Sequence, residues 1–189
     1  MEFYLLIVIA ILAGASYLLG LVQMLRGSYK PSTFSRIVWL LLGVNGFAGV
    51  LLSSTSTAAV LLAGISLLGS AAMCVLSFWK GVRTIGKLEY VCIVLLIVSG
   101  LIWIFFEAPL VNLFISLFAH FIGAVPTYKK VWLEPKSESW GFWSLFFFAS
   151  VLSIFASPGS SIKDVVFPIY FSLFDGSIFF LSLRRKVRV

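Results

Sequence analysis

Three polar side chains stand deep inside otherwise apolar stretches of this sequence. Asp175 lies in Ser172-Leu173-Phe174-Asp175-Gly176-Ser177, His120 in Leu117-Phe118-Ala119-His120-Phe121, and Asn45 in Gly43-Val44-Asn45-Gly46. An ionisable group in an apolar medium needs a partner, water or a proton, because an uncompensated charge there is costly. A carboxyl can accept a proton or hold a cation, an imidazole can share a proton with it, and a carboxamide donates and accepts at once. No Lys or Arg falls at the expected depth of Asp175, so it is protonated, facing water, or facing His120. Asn45 is as consistent with a bond to a neighbouring helix as with a ligand, and His120 as consistent with ordinary packing as with a proton relay. Asn112 lies nearer the end of its run, where it could line an entrance. No nucleophile signature, phosphate loop or metal-ligand spacing accompanies these residues, so neither catalysis nor a cofactor is expected. The two cysteines, Cys74 and Cys92, are expected near cytosolic helix ends, where disulfides are disfavoured.

The elements that must carry these groups are apolar runs. The chain is 61% hydrophobic and 11% charged over 189 residues, with a mean hydropathy of +1.10. A soluble domain is roughly 25% charged, so this composition excludes a soluble enzyme, a nucleic-acid-binding domain and a disordered tail. Seven runs are visible, at Phe3–Leu25, Ile37–Leu52, Ala58–Trp79, Val91–Phe106, Leu110–Tyr128, Trp140–Ala156 and Val165–Leu183. In lipid each must satisfy its own backbone hydrogen bonds, which makes helix the expected state. The first run reads as a spanning helix rather than a signal peptide: Glu2 stands where a basic flank belongs, and the apolar stretch is long. Phe105, Phe106, Phe146, Phe147 and Phe148 are expected to face lipid or to pack.

Charge orients the runs. Arg26, Lys30 and Arg36 follow the first; Lys80, Arg83 and Lys87 follow the third; Lys129, Lys130 and Lys136 follow the fifth; Arg184, Arg185, Lys186 and Arg188 follow the seventh. All but Lys163 of the 14 basic residues thus collect at alternate ends, with Glu2, Glu107 and Asp164 opposite. The positive-inside rule then places the N-terminus outside and the C-terminus in the cytosol, in a plasma (inner) membrane. The basic clusters are expected to touch anionic membrane lipid, and no nucleic-acid partner is expected. Trp39, Trp79, Trp132, Trp140 and Trp143 fall near the same side, as an interfacial belt would.

An internal repeat supplies the architecture. Lys30-Pro31-Ser32-Thr33-Phe34-Ser35-Arg36-Ile37-Val38-Trp39 matches Glu134-Pro135-Lys136-Ser137-Glu138-Ser139-Trp140-Gly141-Phe142-Trp143 at a constant offset in Pro, Ser and Trp. Pro31 and Pro135 stop helical continuation, Ser35 and Ser139 are placed to cap the next helix, and Trp39 and Trp143 fall about a turn inside, at head-group depth. The copies follow the first and fifth runs. This makes the expected fold all-α and integral to the membrane: seven helices as two parallel three-helix bundles joined by a linker helix (3+1+3). The first bundle covers 1–79, the linker 80–109, and the second bundle with its basic tail 110–189. Gly43, Gly46 and Gly49 on the second run, with Gly64, Gly69 and Ala72 on the third, form small faces that let backbones approach. Such faces serve within one chain or between copies, so a homo-oligomer stays open.

The 3+1+3 order, the outward N-terminus and the repeated Pro-x-[Ser/Thr]-x-Ser resemble the PQ-loop superfamily, which includes the SWEET sugar carriers, lysosomal amino-acid carriers and the KDEL-receptor fold. The family's Pro-Gln pair lies near the cytosolic end of helices one and five. At the repeat offset Val22-Gln23 aligns with Pro126-Thr127, so the first copy keeps Gln23 and the second keeps Pro126. The resemblance implies hinges at Pro126 and Gln23 and a substrate site between the bundles near mid-depth. It implies an alternating-access carrier of a small polar metabolite, an amino acid or a sugar, with protons as a possible co-substrate. SWEET sugar sites resemble an Asn pair on helices three and seven, whereas here helix three has none and helix seven carries Asp175. On this reading Asp175 binds a proton or a cationic group, His120 shares that proton, and Asn45 bonds the substrate. The alternative on the same fold is a receptor or sorting factor that binds without net flux.

Overall fold

The computed structural model describes residues 2–81, 87–157 and 161–184. Arg83, Arg185, Lys186 and Arg188 lie outside the described residues, as do the side chains of a few helical positions, Pro126 among them. Among the described residues the elements are α1 (Glu2–Leu25), α2 (Thr33–Ser53), α3 (Thr57–Lys80), α4 (Lys87–Phe106), α5 (Pro109–Leu133), a short 3-10 turn (Pro135–Ser137), α6 (Trp140–Ala156) and α7 (Ile162–Ser182). Each apolar run has become a helix. Five of the helices are long and apolar enough to cross a membrane, while Trp140–Ala156 and the apolar part of α4, Tyr90–Phe106, are shorter. Ile104, Phe105, Phe106, Phe155 and Leu173 are exposed together with many other large apolar side chains. A surface of that kind is untenable in water and belongs against acyl chains, so the chain is a membrane protein.

The helix starts are set by hydroxyl caps. Ser139 Oγ accepts the Phe142 amide at 3.2 Å, as the repeat implied. The first copy differs: Ser32, not Ser35, is the cap, and Ser35 is the residue whose amide donates to Ser32 Oγ, at 3.3 Å. α2 therefore begins at Thr33, a turn before the apolar run does. The cause is one substitution between the copies. Where the first has Ser32 the second has Lys136, which offers no capping oxygen, so the chain tightens into the 3-10 turn and waits for Ser139.

α3 packs on both α1 and α2, and α7 packs on both α6 and α5. Across the two halves α1 lies on α6, α2 lies on α5, and α3 meets α7; α4 packs on α5 and α2. Two glycines of the small-residue faces permit close approaches between helices. A Cβ on Gly69 would stand 2.1 Å from the Tyr17 ring, so α1 lays that ring directly on α3. A Cβ on Gly49 would meet the Leu113 Cβ at 3.0 Å and the Pro109 carbonyl at 3.3 Å, so α2 and α5 touch along their backbones. Gly43, Gly46 and Gly64 make no such approach.

Candidate functional site

A cavity of about 50 Å³ lies among the helices, and every helix except α4 contributes to its wall. From α2 come Arg36, Trp39, Gly43 and Gly46, at i, i+3, i+7 and i+10, a single helical stripe. α7 supplies Phe167, Phe171, Phe174 and Asp175. α3 supplies Ser66 and Ser70, α1 supplies Tyr17, and the Tyr17 hydroxyl bonds both serines, at 3.0 and 3.4 Å. Ser116 and His120 enter from α5, and Phe142, Trp143 and Phe146 from α6.

Asp175 and His120 thus share one cavity, but not one hydrogen bond. His120 Nδ1 bonds the Tyr170 hydroxyl at 2.9 Å, and its ring stacks on Trp39 with centroids 5.1 Å apart. Phe171 and Phe174 approach it edge-on. Asp175 is 3% exposed, and its Oδ2 is buried with no hydrogen-bond partner among the described residues. Asn45 sits beside the cavity rather than in its wall. It exchanges two hydrogen bonds with Asn112, both at 2.9 Å, and a third from its Nδ2 reaches Ser116 Oγ at 2.7 Å. That clasp ties α2 to α5 through Ser116, which does line the cavity. Asn112, expected near an entrance, is fully buried in this clasp.

The repeated tryptophans are core residues, not head-group anchors. Trp39 and Trp143 are buried and line the cavity from opposite halves, whereas Trp79, Trp132 and Trp140 are exposed. The two copies differ in one atom's fate. Trp143 Nε1 donates to Glu138 Oε2 at 3.2 Å, and Glu138 also pairs with Lys130 at 3.1 Å. At the repeat offset Glu138 corresponds to Phe34, whose side chain has no acceptor, and Trp39 Nε1 is buried without a partner among the described residues.

Arg36 is the residue the sequence reading misplaced. Counted among loop cations, it lies in the first turn of α2 and is only 4% exposed. Its guanidinium lies over the rings of Trp39 and Tyr29, donates to the Tyr29 hydroxyl, and reaches Met73 Sδ at 3.7 Å. No acid among the described residues stands within ion-pair distance of it. Burial pushes the Tyr29 hydroxyl up to about 12, so Tyr29 stays a neutral phenol and does not neutralise its neighbour. The signal was present in the sequence: with the helix started from the Ser32 cap, Arg36 falls on the stripe of Trp39, Gly43 and Gly46.

The ends of the cavity differ. Toward the basic ends of the helices a cleft of about 210 Å³ is lined by Tyr29, Lys30, Thr127, Lys130 and Glu138, and it shares Arg36 and Trp39 with the cavity. At the opposite end Asp164, expected on the side away from the basic loops, is buried at the start of α7. Its carboxylate accepts from the Ser54 hydroxyl at 2.8 Å and from the amides of Thr55 and Ser56 at 2.5 and 3.2 Å. The same two connections are joined again by Ser56 Oγ and Ser157 Oγ, 2.7 Å apart. Of the suggested hinges, Gln23 uses its carbonyl to close the end of α1, accepting from the Ser28 and Tyr29 amides. Pro126 lies within α5.

No protein-family model, curated protein or solved structure matches the chain. The functional reading therefore rests on the geometry of the cavity and its two ends.

Proposed function

We propose that the protein is an alternating-access carrier of a small polar metabolite, with the cavity as its substrate site. The observation that carries this is a buried guanidinium and a buried carboxyl in the wall of one cavity, between two halves of a lipid-embedded chain. Ionisable groups at such depth are costly and mark a solute or proton path. The packing pairs support a 3+1+3 arrangement. Exchanging α1, α2 and α3 for α5, α6 and α7 turns the α1–α6 contact into the α5–α2 contact, and α2–α3 into α6–α7. It leaves the α3–α7 contact unchanged, as a two-fold relation between parallel repeats requires. At 1.5 Å per residue α4 reaches about 30 Å and α6 about 26 Å, within what a bilayer accommodates by local thinning. Seven crossings then put the Asp164 clasp outside and the cleft with Lys30 and Lys130 in the cytosol of a plasma (inner) membrane. The resemblance to PQ-loop carriers in loop pattern and helix order agrees with this topology.

In this reading the conformation is closed outside by the Asp164 clasp, while the cytosolic cleft leads to the cavity. Asp175 takes the proton or cationic group. The Asn45–Asn112 clasp holds the α2–α5 seam, and its Ser116 offers a hydroxyl to the cavity. His120, held by Tyr170 and Trp39, braces the wall beside Asp175 instead of sharing its proton. The test is uptake by the purified protein in proteoliposomes, with and without a pH gradient. Asp175→Asn is expected to cut uptake by more than tenfold; unchanged uptake would remove the assigned role. Saturable binding with no flux in the parent protein would replace the carrier with a receptor on the same fold.

A further inference from the structure

The cavity holds two groups of opposite chemical character, and each lacks its counterpart. Arg36 spends two hydrogen bonds, on a neutral phenol and on a thioether sulfur, and faces no acid within ion-pair distance among the described residues. A guanidinium carries five N–H donors and matches a carboxylate with two of them side by side. A buried arginine in a fold normally has that anion supplied by the protein, because an unpaired charge out of water is strongly unfavourable. Asp175 presents a buried carboxyl oxygen, Oδ2, with no donor among the described residues. The two groups line the same cavity without forming an ion pair with each other. Phenyl rings make up much of the rest of the wall, those of Phe142, Phe146, Phe167 and Phe171 among them.

We propose that the cavity takes a zwitterionic amino acid with an apolar side chain, its carboxylate on Arg36 and its ammonium on Asp175. This deepens the carrier reading and rests on the cavity being the substrate site. A neutral sugar would leave the guanidinium uncompensated and meet phenyl walls with few polar groups. A plain carboxylate would satisfy Arg36 and leave Asp175 unpartnered; an amine would do the reverse. Only a ligand with both charges completes both residues, and the phenyl rings then receive its side chain. At about 50 Å³ the cavity has room for a few waters. An amino acid enters as the halves part on the cytosolic side, where the neighbouring cleft already borders Arg36.

The test is ligand-induced thermal stabilisation and equilibrium binding on the detergent-purified full chain. The probes are the twenty amino acids, glucose, and the one-charge analogues of phenylalanine: 3-phenylpropionate, lacking the amine, and 2-phenylethylamine, lacking the carboxylate. Apolar amino acids are expected to bind, and each analogue is expected to lose about tenfold or more in affinity, the loss that one charge-assisted contact implies. Arg36→Gln is expected to abolish the advantage of phenylalanine over 2-phenylethylamine, and Asp175→Asn its advantage over 3-phenylpropionate. The analogue comparison on the parent protein needs no variant, so a substitution that fails to fold leaves the proposal open to refutation. Binding of glucose in preference to amino acids, equal affinity for phenylalanine and both analogues, or no binding by any of the twenty would overturn it. Uptake of a sugar with no amino-acid binding would sink this proposal and leave the carrier standing. Amino-acid binding with no uptake would do the opposite.

Discussion

Asn45 shows how a side chain read as a ligand group becomes a structural one. In the sequence it is a lone carboxamide between glycines. In the fold it meets Asn112 in a reciprocal amide pair, with Ser116 as a third partner. Interhelical bonds of this kind in lipid contribute modestly, because the separated helices find other partners. Asn45→Ala and Asn112→Ala are each expected to lower stability, with a coupling of about 1 kcal/mol in a double-mutant cycle. Unfolding in detergent measures it, and additive losses would show that the pair does not hold the seam. Residue types made this clasp partly legible: two Asn on different apolar runs are candidates for each other. Their pairing was not legible, since it depends on α2 lying against α5. Arg36 was lost for a different reason. Positive charge near a run's end reads as a loop anchor, and only the cap at Ser32 moves it one turn into the helix.

Element boundaries were readable to the extent that apolar length sets them. α6 runs from Trp140 to Ala156 as hydropathy alone suggests, while α2 starts earlier than its apolar run, at Thr33, and α5 continues past its run to Leu133, each through a mix of polar and apolar residues. The small-residue faces were readable as a class but not by member. Gly49 and Gly69 sit at close approaches, whereas Gly43 has only the Leu67 side chain at 3.8 Å. The difference comes from the partner: Tyr17 places a flat ring on Gly69, and its hydroxyl is pinned by Ser66 and Ser70. A methyl at Gly69 has nowhere to go unless α1 and α3 separate or the ring leaves the cavity. Gly69→Ala is expected to cost about 1–3 kcal/mol by overpacking. In a Tyr17→Ala background, itself destabilised by loss of the ring, Gly69→Ala should cost little. Thermal unfolding of the single and double variants decides it; a Gly69→Ala protein as stable as the parent would mean the ring is not held there. Gly43→Ala serves as the near-neutral control.

At the scale of the whole molecule, the two ends of the cavity are built from different chemistry. One end is a cleft among basic residues, where the only ion pair among the described residues, Lys130–Glu138, joins a half-exposed lysine to a buried glutamate. The other is tied by Asp164, which joins the start of α7 to the α2–α3 connection. Nothing in the sequence marked Asp164 as more than a surface acid, because its donors are backbone amides and hydroxyls more than a hundred positions away. A carboxylate accepting two amides and two hydroxyls, all of them on one oxygen, is a strong tie, and a carboxamide keeps an oxygen in that place but gives up the negative charge that strengthens these bonds. Asp164→Asn is therefore expected to weaken the closed arrangement at this end and shift the protein toward one open there, since a population follows the difference in stability of its states. The readout is a cysteine at Ser66, in the cavity wall, in a background lacking Cys74 and Cys92. Its modification by a membrane-impermeant thiol reagent added outside should rise several-fold with Asp164→Asn, and its labelling from the cytosolic side should fall. Equal labelling in both proteins would make the clasp a static brace, and faster labelling from the cytosolic side alone would reverse the orientation assigned to the chain.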